Sequence, residues 1–87
     1  MLMKVEIIKV LNDITVIEPA IINIDNIDGV SAEEKVEVHS GRDDENEDIY
    51  KTINIVRVIM KDDTVLGVVG TIDEFWKAYE RLLLFKS

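Results

Sequence analysis

The sequence predicts an α+β fold: a small antiparallel sheet of four to five strands, with one C-terminal helix packed on one face. Three observations carry that expectation. Short β-rich runs alternate apolar and polar residues and are separated by turn residues. A single capped, amphipathic segment closes the chain. The 87 residues are 47% apolar and include no cysteine, so one domain has to be held by its core without disulfides.

The elements follow in order. "MKVEIIKV", residues 3–10, puts Met3, Val5 and Ile7 on one parity and reads as a strand. Asn12-Asp13 turns the chain, and "ITVIEPAIINI", 14–24, resumes the extended pattern. Pro19 has no N–H for a ladder and marks an edge or a break. Ala20, Ile22 and Ile24 face one way and Ile21, Asn23 and Asp25 the other, before a turn expected at Asp28-Gly29. "KVEVH", 35–39, sets Val36 and Val38 against Lys35, Glu37 and His39, as a strand with one wet face does.

"YKTINIVRVIM", 50–60, becomes apolar on both parities and reads as a central strand. "KDDT" turns it into "VLGVV" as a hairpin partner. The helix over 71–85 opens with Thr71 and Glu74 in a capping box, and Asp73 and Glu74 suit its positive end. Ile72, Phe75, Trp76, Tyr79, Leu82 and Leu83 gather into a stripe about 120° wide, expected to pack on the sheet. Core packing is the expected role of Trp76. Leu84 and Phe85 fall on the opposite side.

The net charge of −8 is uneven. Residues 1–12 and 49–87 each sum to +1, whereas 13–48 hold twelve acids against Lys35 and Arg42. Five carboxylates, Asp43, Asp44, Glu45, Glu47 and Asp48, crowd into "GRDDENEDIY". They lack the glycine-bearing spacing of a calcium loop, as does "DNIDG", and no metal or other cofactor is expected. Direct nucleic-acid binding is disfavoured because the ten bases are scattered and outnumbered. His39 and Ser40 are strand neighbours on opposite faces, so they make no nucleophile and base pair. No Gly-rich phosphate loop occurs, and no catalysis is expected. Charge interrupts every apolar run, so neither a membrane span nor a signal peptide is read, and the lack of cysteine suits a cytoplasmic setting.

"IINIDNIDGV", 21–30, and "DDTVLGVVGTIDEFWKAYERL", 62–82, resemble the small FlbD/SwrD-like proteins of flagellar operons and many short phage proteins. The resemblance covers about thirty residues. It places Asn23, Asp25, Asn26 and Ile27 in the second strand region and Thr71, Asp73, Glu74 and Phe75 at the helix start. It implies a small sheet closed by a C-terminal helix, without catalysis and with no binding residue carried over. The sequence departs from that pattern at Asp62-Asp63, where Asn-Gly is usual, and at about 31–50, which reads as an acidic insertion into a single domain.

The expectation is a non-catalytic protein-binding module, of the kind a phage or mobile element uses as an inhibitor. It would occupy a basic, nucleic-acid-binding surface of a host protein. Asp43, Asp44, Glu45, Glu47 and Asp48 would steer and register the partner, and Leu84 and Phe85 would anchor it. The alternative is a structural protein that forms a homo-oligomer through the outer face of the helix, with the acidic segment serving solubility.

Overall fold

The computed structural model describes residues 1–86, and of Ala32, Phe85 and Lys86 the backbone alone. The chain is α+β. Five strands, β1 (Leu2–Leu11), β2 (Ile14–Asn23), β3 (Ile27–Arg42), β4 (Asp48–Met60) and β5 (Val65–Val69), are followed by helix α1 (Ile72–Lys86). They form one antiparallel sheet in the order β2-β1-β5-β4-β3.

Asn12 and Asp13, with φ of 51° and 65°, make the two-residue turn between β1 and β2. Positive φ at both positions matches the twist of the flanking strands. The register runs unbroken from Leu11↔Ile14 to Leu2↔Asn23 and pairs Pro19 with Glu6. Counting from the closely bonded pair beside the turn, every second pair exchanges hydrogen bonds, and Glu6↔Pro19 falls between them. The missing N–H of Pro19 therefore lies on the open edge of β2. It costs the ladder nothing and denies a donor to any incoming strand.

The two outermost strands, β2 and β3, are joined by only the 3₁₀ turn Ile24–Asn26. So short a link forces the sheet to roll until those edges approach, and β2 and β3 do contact each other. The Lys61 amide donates to the Asn26 carbonyl at 2.7 Å and ties the link to the β4–β5 turn. Inside the roll, Met3, Ile22, Ile24, Val56, Val58 and Val68 form the core, and Phe75 enters it from α1. The parity read for residues 20–25 holds: Ile22 and Ile24 are buried while Ile21 is exposed. On the opposite face of the sheet, Ile8 and Ile55 meet over Gly67. A Cβ there would lie 2.7 Å from Ile8 Cγ1 and 3.2 Å from Ile55 Cδ1, which is why the strand carries glycine.

Three expectations are corrected. The chain turns at Ile24–Asn26 rather than at Asp28-Gly29, which lies inside β3 at a register shift between Ile27 and Gly29. A bulge absorbs the irregularity without ending the strand. The strand expected at 35–39 is a fragment of β3, which has 16 residues. Finally, the helical stripe is covered less than its spacing implies. Phe75 is buried and Tyr79 and Leu82 half-buried, but Ile72, Trp76 and Leu83 are exposed. A rolled sheet offers a helix less flat surface than an open one does, so the margins of the stripe stay wet.

Candidate functional site: the acidic hairpin arm

A 16-residue strand rising ~3.3 Å per residue spans ~50 Å, and the molecule is 53 × 24 × 21 Å. Its radius of gyration is 14.6 Å, against ~12 Å for a compact chain of 87 residues. The excess belongs to the far end of β3 and β4, where every residue from Arg42 to Thr52 is exposed. Residues 31–50, read as an insertion, are the outer part of β3, a tight turn and the first residues of β4.

The turn is well built. The Asn46 amide donates to the Asp43 carbonyl and the Asp43 amide to the Glu47 carbonyl, both at 3.0 Å, with Asn46 at φ 65°. This is a type I turn followed by a left-handed residue, a frequent three-residue hairpin closure. The turn between β4 and β5 repeats it: the Asp63 amide donates to Met60 O, the Met60 amide to Thr64 O, and Asp63 has φ 70°. Asparagine and aspartate tolerate that conformation better than other non-glycine residues.

The five acidic side chains do different things. Asp43 Oδ1 accepts from the Glu45 and Glu47 amides, both at 2.9 Å, and so organises the turn. Asp48 Oδ1 lies 3.0 Å from His39 Nε2 and 3.3 Å from Arg42 Nε. The hydrogen bond from His39, then the charges of Arg42 and His39, hold the Asp48 carboxyl below its usual range. Asp44, Glu45 and Glu47 are the tip carboxylates left without a fixed hydrogen-bond or ion-pair partner among the described residues.

His39 is half-buried, edge-on to Tyr50 with ring centroids 5.6 Å apart. Ser40, at the register shift between His39 and Gly41, donates to the Ile49 carbonyl at 3.3 Å rather than to His39, so the two do not pair. Toward the body, acids find fixed partners. Glu33 Oε1 accepts from the Ile72 amide at the helix start, and Glu34 pairs with Arg57. The capping box forms as expected, with Glu74 N donating to Thr71 Oγ1 and Thr71 N to Glu74 Oε1. Among the described residues no three His, Asp or Glu side chains converge to hold a metal ion.

Of the two expected apolar anchors, Leu84 is 70% exposed near the end of α1, while the side chain of Phe85 lies outside the described residues. They belong to a different element from the acidic tip. Sequence reasoning missed the parts played by Arg42, Asn46 and Tyr50. The signal for Asn46 was present: in "DDENE", asparagine stands where a hairpin of this kind needs a left-handed residue.

Compared with known proteins, the chain matches no family model, no curated protein and no solved structure.

Proposed function

We propose that this chain is a non-catalytic protein-binding module whose acidic arm docks on a basic protein surface of the kind that receives nucleic acid. One observation carries this reading. Residues 31–50 hold eight carboxylates against Lys35 and Arg42, so −6 of the net −8 sits on the projecting hairpin. A positive partner gains from such a field chiefly in association rate, by roughly 10–10³ at low salt. Single exposed pairs contribute little, ~0–1 kcal/mol each, so the ordered turn matters: it holds the backbone that carries these three carboxylates in one conformation. An inhibitor carried by a phage or mobile element would use such a surface to occupy the nucleic-acid site of a host protein.

The test is capture from a nuclease-treated cell lysate with the intact chain and with the triple variant Asp44→Asn, Glu45→Gln, Glu47→Gln. The expected result is a nucleic-acid-handling protein held at low salt, released by high salt or by competing duplex DNA, and not held by the variant. Equal capture by the variant ends this reading.

A second reading rests on Leu84 and Trp76, which are 70% and 56% exposed on α1. Self-association through the helix would cover them, each large side chain contributing about 1.5–3 kcal/mol if fully buried. Sedimentation of the wild type and of Leu84→Asp checks it. A dimer that the substitution abolishes favours assembly, and a monomer at all concentrations removes it.

A further inference from the structure

We propose that the groove between the start of β3 and α1 is a binding site for an arginine side chain presented by a partner protein. The groove holds about 290 Å³, and Asp28, Gly29, Val30, Phe75, Trp76 and Tyr79 are among its lining residues. Beside Gly29 the space is open, since a Cβ built there meets nothing within 4 Å. Tyr79 stacks on Phe75 at 6.4 Å and 18° and on Trp76 at 6.0 Å and 25°. Tyr79 thus lies within 25° of parallel to each of the other two rings, and the indole at the margin is 56% exposed.

The electrostatics of this groove have one sign. Asp28 is exposed, and among the described residues its carboxylate has no hydrogen bond or ion pair and no Lys or Arg lines the groove. Aromatic faces are themselves electron-rich, so the rings and the carboxylate favour the same guest, a cation with a flat apolar surface. A guanidinium meets both demands, because it stacks on indole and can offer two parallel N–H donors to one carboxylate. An anion would be repelled, and a neutral apolar group would leave Asp28 unmatched. An added β-strand is disfavoured here because the register of β3 shifts between Ile27 and Gly29 and again between Val30 and Glu33.

The site extends the protein-binding reading to a second surface and does not depend on the acidic tip. About 13 residues of β3 separate Gly29 from Arg42, roughly 40 Å of strand. A partner with an arginine at that distance from its basic patch would engage both sites, and the second contact would then be intramolecular.

The probe is the tripeptide acetyl-Gly-Arg-Gly-amide, titrated into the full chain and followed by amide chemical shifts and by fluorescence of Trp76, the sole tryptophan. Saturable shifts confined to residues 27–30 and 72–79 are expected. Binding should weaken at least fivefold when citrulline replaces arginine, and again in Asp28→Asn. The triple variant at Asp44, Glu45 and Glu47 should bind the tripeptide as the wild type does, which separates failure of this site from failure of the arm. Equal binding of the citrulline peptide, shifts gathered at residues 43–48, or no saturable response at millimolar peptide would each overturn the proposal.

Discussion

Strands β3 and β4 run through two environments, and the contrast between their two ends explains most of the molecule. At the body end, Ile55, Val56 and Val58 of β4 are completely buried, with opposite faces of the sheet each covered. At the far end of the same ladder, Ile49 and Tyr50 are 42% and 50% exposed, and what holds the pairing is a turn and a few polar contacts. One hairpin is therefore core at its base and surface at its tip. Stability is concentrated in the first part and charge in the second, so the tip can vary in sequence with little cost to the fold.

The sharpest way to break that contrast is a matched pair of truncations. Ile55→Ala should cost about 2–5 kcal/mol, the range for removing a large aliphatic side chain from a packed core. Ile49→Ala should cost under about 1 kcal/mol, since the residue is already partly wet. Urea unfolding of both variants measures the difference, and similar midpoints would show the arm to be as integral as the body.

A smaller effect is expected on the far side of the same sheet. Gly67→Ala forces a methyl group against Ile8 and Ile55, and overpacking of this kind costs about 1–3 kcal/mol. A thermal midpoint equal to wild type would mean that Ile8 can move aside.

At the tip, Asp43→Ala should cost about 1 kcal/mol, because two amides lose their acceptor in water-exposed surroundings. The loss should be local. Hydrogen exchange at Glu45 and Glu47 should quicken, while the amides of Val56 and Val58 keep their protection.

The smallest effect concerns pH. The Asp48 carboxyl titrates below its unfolded value, so its contribution is complete above about pH 4 and is lost as pH falls through the depressed folded value. Acidification below pH 4 should loosen the His39–Asp48–Arg42 contacts and broaden the tip resonances. Asp48→Asn should remove that dependence and slightly lower the unfolding midpoint at neutral pH, where the contribution of the carboxylate is fully present.

These outcomes bear on how much could be read from residue order. The Asn12-Asp13 turn, the shared parity of Ile22 and Ile24, Pro19 as the mark of an edge or a break and the capping box of Thr71 and Glu74 were all legible, because each is decided within a few residues. The acidic segment was also visible as charge. Its division of labour was not: Asp43 and Asp48 look like Asp44 in the sequence, yet they differ in what backbone and cross-strand groups stand beside them. Trp76 shows the same limit. Its helical phase matches that of a core residue, and only the curvature of the sheet leaves it on a groove.

By itself, then, the sequence determined the element types, the turns at Asn12-Asp13 and at 61–64 and the place where negative charge accumulates, since all of these depend on neighbours within about one helical turn or one hairpin loop. Tertiary structure decided how far β3 and β4 pair, how tightly the sheet rolls around Phe75, and which carboxylates stay free at the tip and beside Trp76. Those outcomes depend on contacts between residues far apart in the chain, where strand register and the three-residue link from β2 to β3 set what each side chain meets.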